Sequence, residues 1–453
     1  MDIVQLPKNI KLFVQVFFCL LTVPVIIHAE DSFEKQTDFF FRLTDDNRVK
    51  TVWAKTVSFD GTVPGCITLQ SENRYDAKTG YGYDLLPSPQ KGKTAPYFFS
   101  VNVPDGNYRV TLTLGSRNEA GCTTVRAESR RLFVERLSTR KGEFATVSFV
   151  VNKRNIHISD AEEVHIKQRE RTKLNWDDKL TLEFNGPSPQ CVAIQIERDE
   201  TVPTVFLAGN STVVDQNEEP WASWGQMIPR FFDDRICFAN YAESGESANT
   251  FIAAGRLKKA LTQMKPGDYL FMEFGHNDQK QKGPGKGAYY SFATSLKCFI
   301  DEARQRGVTP VLVTPTRRRA FKNGKIQNTH EDYPEAIHWL AEREHVAVID
   351  LQEMTRVLFE TMGEKNSRQA FVHYPSGTFP GQTKAFADNT HFNPYGAYEI
   401  AKCVIEGIRQ VNLPMIDYLR TDYVLFDPER PDSLSSFQWD QSPFITLEKP
   451  DGN

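Results

Sequence analysis

Apolar and polar residues alternate in short runs from about Asp38 to Glu197. The stretch "PYFFSVNVPDGNYRVTLTLG" carries this alternation on both sides of Pro104-Asp105-Gly106-Asn107. Two period-two runs flanking turn residues predict a hairpin. "FATVSFVVN", "LTLEFNG" and "CVAIQIER" predict further strands, with no strong helical period between them. Many short strands separated by turns predict a β-sandwich or jelly roll. The pattern changes after Thr201. "TVFLAG", "ICFANYAESG", "DYLFMEFG", "TPVLVTP" and "VAVID" are strand-like, and helical runs such as "TFIAAGRLKKALTQM" and "YYSFATSLKCFIDEARQRG" separate them. Strand and helix in alternation predict an α/β fold, a parallel sheet with helices on both faces.

"ERDETVPT", from Glu197 to Thr204, is charged, carries a proline and reads as a linker. The expected organisation is therefore a β-sandwich over 30–200, an α/β unit over 201–420 and a tail over 421–453. The proline-rich tail is expected to wrap the surface or to stay partly disordered. At the N-terminus, Lys8 and Lys11 precede "LFVQVFFCLLTVPVII" and then "HAE". This reads as a signal peptide over 1–29, removed after Ala29. The apolar run is interrupted by Gln15 and Pro24 and falls short of the roughly 20 residues a spanning helix needs. The reading is an exported protein, periplasmic or extracellular, with no membrane span in the mature chain.

Composition changes this picture little. The 453 residues are 40% hydrophobic and 25% charged, with a formal net charge of -4. A nucleic-acid partner would leave a basic footprint, and there is none. Cys66, Cys122, Cys191, Cys237, Cys298 and Cys403 follow the leader with no metal-binding spacing. They read as buried free thiols, with room for one bridge in the N-terminal part.

The candidate chemistry lies where strand-like runs end. "FLAGNSTVVDQ" stops an apolar run at Gly209 and then presents Ser211. Ligands of open α/β sheets bind beyond the carboxyl ends of the strands, so this serine stands where a nucleophile would. A serine nucleophile needs a base, an orienter for the base and donors for the oxyanion. "DNTHFNPYGAYEIAKCVIEGI" places Asp388 three residues before His391, in a short loop before a helix capped by Asn393 and opened by Pro394. "NYAESGESANTF" offers Gly245, and "MEFGHNDQ" offers His276 and Asn277. Each motif alone also reads as ordinary turn or capping chemistry.

In order, the Gly-x-Ser, the glycine turn, the Gly-x-Asn-Asp and the Asp-x-x-His resemble the four sequence blocks of the SGNH, or GDSL, hydrolase superfamily. The resemblance covers roughly Val202 to Gln410. It implies a three-layer, flavodoxin-like parallel sheet and a triad of Ser211, His391 and Asp388. It also implies an oxyanion hole from Ser211, Gly245 and Asn277, with no metal or cofactor. One departure stands out: the first block is usually Gly-Asp-Ser, and here Asn210 replaces the aspartate. "GNSTVVDQ", "WGQMI", "FGHNDQ", "VLVTPTRRR", "YPEAI" and "DNTHFNPYGA" look like the rhamnogalacturonan acetylesterase branch. Some bacterial members of that branch carry an N-terminal β-domain of galactose-binding type, similar in texture to residues 38–197.

The branch implies a secreted carbohydrate esterase that removes acetyl groups from pectic rhamnogalacturonan, as polysaccharide or oligosaccharide. Galacturonan is acidic, so Arg317, Arg318 and Arg319, following a strand-like run, are candidate substrate contacts together with His276. Other readings stay open: the same machinery acting on acetylated xylan, sialic acid or lipid, or a carbohydrate-binding protein without catalysis. Trp221 and Trp224, after the nucleophile loop, suit either sugar stacking or the core.

Overall fold

The computed structural model describes residues 39–45, 48–58, 67–89 and 94–451. The expected signal peptide and Cys66 lie outside the described residues. Two antiparallel sheets build the N-terminal part. One orders the strands Phe39–Asp45, Arg48–Ser58, Cys191–Arg198, Gly106–Gly115 and Phe144–Lys153. The other orders Tyr81–Asp84, Tyr97–Asn102, Lys179–Ser188, Gly121–Ala127 and Arg131–Thr139. Alternate residues of a strand point to opposite faces. Val110, Leu112 and Ile194 of the first sheet therefore meet Phe99, Val101 and Leu182 of the second in one buried layer. This is the β-sandwich that the alternating runs predict.

The hairpin expected at Pro104–Asn107 does not form. Tyr97–Asn102 and Gly106–Gly115 lie in opposite sheets, so the turn residues carry the chain across the sandwich. Their polar groups are satisfied elsewhere. The Val103 N–H donates to the Asp178 carbonyl, and the Asn107 amide donates to Thr204 Oγ1. Alternation fixes which residues face inward, and it does not fix which strand is the neighbour.

The first sheet continues beyond the sandwich. Val150 and Val151 pair in parallel with Cys237 and Phe238. Five parallel strands follow in the chain: β1 (Thr204–Gly209), β2 (Cys237–Asn240), β3 (Tyr269–Glu273), β4 (Thr309–Val313) and β5 (Ala347–Ile349). Their spatial order is β2-β1-β3-β4-β5, the flavodoxin-like order, with its reversal at β1. The segment 199–203, read as a linker, is a short connection between two strands of this one sheet. Asp199 in it is paired with Arg109 at 2.7 Å.

Helices cover both faces. Val205 and Leu207 of β1 face the helices Leu351–Asn366 and Pro394–Gln410, while Phe206 and Ala208 face Ala293–Gln305 and Tyr333–Glu344. Asn393 caps the helix Pro394–Gln410 through a bond from the Gly396 N–H, and Pro394 opens it. The run "TFIAAGRLKKALTQM" is two helices, Ala248–Ala253 and Arg256–Leu261, because Gly255 turns left-handed at φ 77°.

Buried arginines of the sandwich reach into the α/β unit. Arg131 pairs with Asp215 at 3.1 Å and donates to the carbonyls of Asn152 and Phe238. Arg130 donates to the carbonyls of Gln216 and Trp221 and pairs with Glu219 at 2.6 Å. Arg154 lies over the rings of Trp176 and Tyr241. The tail is extended and docked. Asp440 accepts from Thr124 Oγ1 at 2.6 Å and also contacts Arg126 and Arg136, and the Phe444 carbonyl accepts from the Glu219 N–H. Cys122, Cys191, Cys237, Cys298 and Cys403 are free thiols. Among the described residues, no helix is long and apolar enough to cross a membrane.

Candidate active site

The chain leaves β1 through a crowded turn. A Cβ at Gly209 would stand 2.6 Å from Val213 Cγ2 and 3.0 Å from the Glu273 carbonyl. Real Cβ atoms do not approach that closely, so only glycine lets the turn fold against β3. Asn210 Oδ1 accepts from the N–H of Thr212 at 3.0 Å and lies 2.9 Å from its hydroxyl. The Ser211 carbonyl accepts from Ser223 Oγ at 2.7 Å and Gln216 Nε2 at 3.1 Å. Side chains on both flanks thus hold the serine's backbone.

His391 and Asp388 reach this turn from a two-stranded ribbon, Phe371–Tyr374 with Phe386–Phe392, where the sequence suggests a loop. His391 Nε2 is 2.9 Å from Ser211 Oγ, and His391 Nδ1 is 2.8 Å from Asp388 Oδ2. Asp388 Oδ1 accepts from the N–H groups of Thr390 and His391 at 2.7 and 3.0 Å. Burial acts to raise the Asp388 carboxyl. The hydrogen bond and charge of His391, with the two backbone donors, outweigh it and hold the carboxyl well below the usual range. Asp388 is therefore a carboxylate at neutral pH, as an imidazole orienter must be. Trp221 stands edge-on to the His391 ring, with centroids 5.9 Å apart, and Trp224 is buried in the core beneath, donating to Glu273.

Two further loops converge on the same place. The Glu243 N–H donates to the Gly209 carbonyl, which ties the glycine loop to the nucleophile turn. Gly245 sits at φ 82°, a left-handed conformation natural to glycine. Asn277 Nδ2 donates to the Glu246 carbonyl at 2.9 Å, which fixes the amide plane and leaves its second N–H as a donor. Among the described residues, the backbone N–H groups of Ser211 and Gly245 have no protein acceptor. Asp278 Oδ1 accepts from the Ala248 N–H and Oδ2 from the Gly275 N–H, so it joins the two loops from below.

The three arginines part company. Arg319 is buried and committed to the fold: it donates to Ser367 Oγ, Asn389 Oδ1 and the Glu364 carbonyl. Arg318 donates to the carbonyls of Thr329 and His276. Arg317 is anchored through its backbone N–H to Thr355 Oγ1. His276 is buried against His330, ring centroids 4.5 Å apart. Burial, with His330 and Arg318 adding to it, drives its ring well below the ordinary histidine range, so it is neutral. Neither ring nitrogen of His276 has a hydrogen-bond partner among the described residues.

Glu273, at the end of β3, escapes notice in the sequence because it closes an apolar run. Its Oε1 is 2.8 Å from the Thr212 hydroxyl, and its Oε2 accepts from Trp224. Burial pushes its carboxyl up to about 7, against the bonds from Trp224 and Thr212. The other unforeseen group is Lys449 of the tail, whose Nζ is 3.2 Å from Asp388 Oδ2.

A hydroxyl, an imidazole and a carboxylate in hydrogen-bonded series, set at the reversal point of a parallel sheet, form the arrangement by which serine hydrolases transfer acyl groups. The model of the GDSL-like Lipase/Acylhydrolase family matches residues 207–397, which contain all five residues of the four blocks. The chain is 43% identical over 218 residues to the rhamnogalacturonan acetylesterase RhgT of Bacillus subtilis, a match spanning 48% of this chain and 93% of that protein. It is 33% identical over 216 residues to the probable rhamnogalacturonan acetylesterase YesY of the same organism, across 47% of this chain and 95% of that one. The crystal structure of the YxiM protein of Bacillus subtilis is similar over 80% of this chain and 99% of that chain, at 23% identity and a TM-score of 0.45. The chain belongs to the GDSL-like lipase/acylhydrolase family, and it is a carboxylic-ester hydrolase.

Proposed function

We propose that this protein removes acetyl groups from a pectic glycan of the rhamnogalacturonan type through an acyl-enzyme on Ser211. The observation that carries the chemistry is the unbroken relay from Ser211 Oγ through both His391 nitrogens to Asp388, at 2.9 and 2.8 Å. In the first step neutral His391 takes the Ser211 proton while the serine oxygen attacks the acetyl carbonyl. Asp388 holds the imidazole and stabilises its cation. The N–H groups of Ser211 and Gly245 and the Asn277 amide receive the oxyanion. His391 then protonates the sugar oxygen as its bond to the acetyl carbon breaks, which frees the sugar hydroxyl; it next activates water against the acetyl-serine, and acetate leaves. The names of the two Bacillus subtilis relatives support the acetyl ester and the pectic backbone. The N-terminal sequence supports export, to the periplasm or beyond the cell.

Acetate release from acetylated rhamnogalacturonan, with acetylated xylan alongside, tests this reading. The expected result is release from the pectic glycan only, reduced roughly 10⁴-fold or more by Ser211→Ala. Release from xylan alone would keep the relay and discard the pectic substrate. Equal release by the variant would remove Ser211 from the chemistry.

A further inference from the structure

A cavity of about 560 Å³ lies between the sandwich, the nucleophile loop and the tail. That size is in the range of small-ligand sites, about 300–1,000 Å³. The sandwich supplies Phe98, Glu128 and Ser129 to its wall, the nucleophile loop Trp221, and the tail Phe444 and Thr446. The cavity borders the relay. Trp221 is the residue packed edge-on to His391, Lys449 in the wall reaches Asp388, and Ser244 in the wall precedes Gly245.

Its wall holds polar groups left without partners. Trp221 Nε1, Ser129 Oγ and Glu128 Oε2 are buried and make no hydrogen bond among the described residues. The three residues are 3%, 1% and 3% exposed, so water does not serve these atoms as the wall stands, and a ligand reaches them as the wall side chains shift. An unsatisfied buried polar group costs about 1–3 kcal/mol, so three at one cavity mark a place where a ligand's polar atoms belong. The indole and the hydroxyl are donors. Burial, against the pull of Arg131, raises the Glu128 carboxyl, whose other oxygen already accepts from the Thr181 N–H. Phe98 and Phe444, with ring centroids 5.4 Å apart, add an apolar surface. Donors beside aromatic faces suit a pyranose, which presents hydroxyl acceptors on its rim and C–H groups on its faces.

Charge narrows the ligand further. Arg130 is paired with Glu219, Arg169 and Lys173 with Glu243, and Lys449 with Asp388. Among the described residues, every cation of the wall already has a carboxylate, so none is left to receive a uronate. We propose that this cavity is a subsite for a neutral sugar unit of the glycan, built jointly by the sandwich, the nucleophile loop and the tail beside the scissile ester. The proposal rests on the glycan-esterase reading. It makes the sandwich part of the substrate site, where the sequence suggested a separate binding domain.

Calorimetric titration of the full-length protein tests it with two deacetylated probes, an alternating rhamnose–galacturonate oligosaccharide and an oligogalacturonate of equal length. The first is expected to bind at least about tenfold more tightly. Thr446→Trp, which fills the cavity from the partly exposed tail, is expected to weaken it about tenfold or more, and Ser129→Leu from the opposite wall to do the same. Two variants on different walls separate blocking from a local rearrangement. Wild-type affinity in both variants, no binding of the first probe, or equal affinity for the two probes would overturn the proposal. Binding needs no turnover, so the two readings fail separately. A protein that binds the mixed probe but releases no acetate loses the esterase reading, and one that releases acetate with unaltered binding in the variants loses the subsite.

Discussion

At the residue scale, the nucleophile turn shows why Asn210 serves where the family's first block usually has aspartate. Asn210 Oδ1 and Glu273 Oε1 lie 2.9 and 2.8 Å from the same Thr212 hydroxyl. That hydroxyl has one proton, which it gives to Glu273 Oε1, while Asn210 Oδ1 is served by the Thr212 N–H at 3.0 Å. The carboxyl is still pushed up to about 7 by burial. An aspartate at 210 would set a second carboxylate against the first in a buried place. The linkage has a definite sign. A carboxyl raised from its ordinary value of 4.5 to about 7 binds its proton more tightly when folded. Its stabilisation is therefore full below pH 4.5 and is lost as pH rises to about 7. Glu273→Gln keeps an acceptor toward the Thr212 hydroxyl and does not titrate. Its stability relative to wild type is expected to grow with pH across that window, by at most about 1.4 kcal/mol per pH unit. Denaturant unfolding of both proteins at pH 5 and pH 8 measures it, and parallel pH profiles would show that Glu273 does not exchange its proton on unfolding. Ser211, His391, Asp388, Gly245 and Asn277 were legible because each follows or precedes a strongly patterned element. Glu273 was not, because one acid at the end of "LFMEF" gives no sign of what it faces.

At the scale of elements, the parts of the sheet that bear the site were legible and their bracing was not. Apolar runs ending in Gly209, Asn240 and Glu273 announce parallel strands and their carboxyl ends, and the Asn393-Pro394 pair announces the last helix. "ESRRLF" in the sandwich carries no local pattern that tells what its arginines face. Arg130 and Arg131 are buried, and both hold the segment just after the serine. Their partners in that segment lie more than 80 residues away in the chain, and no local pattern encodes a contact at that distance. The hairpin at Pro104–Asn107 failed for a related reason, since pairing is decided by what the other strands leave open. Asp215 depends on Arg131 and on Asn240, whose amide donates to it at 2.8 Å. Arg131→Met removes the cation and leaves a buried carboxylate, with an expected cost of about 3–5 kcal/mol. Adding Asp215→Asn should recover a large part of that loss. Chemical denaturation of the single and double variants reads both effects. A single variant within 1 kcal/mol of wild type, roughly the size of an exposed pair, would mean that this clamp does not hold the turn.

For the whole molecule, one sheet runs from Phe39–Asp45 through the sandwich to β5, although the chain's two textures suggest two bodies joined by a linker. The textures are real, because antiparallel strands with one solvated face and parallel strands under helices need different patterns. Texture does not report whether the two sheets join. They join where Val150 and Val151 pair with Cys237 and Phe238, and buried arginines cross beside the junction. The tail then returns to the sandwich, closing the cavity beside the relay from the other side. Separating the two parts would break strand pairing and expose Arg131, Arg154 and Asp215 together, so neither part should unfold while the other persists. Scanning calorimetry of the full-length protein is expected to give a single transition, with calorimetric and van't Hoff enthalpies equal. Arg131→Met is expected to lower that transition as a whole. Two resolved transitions, with the variant moving only one, would make the sandwich an independent domain. The site's position at the junction would then be a matter of proximity, without the energetic coupling that the shared sheet implies.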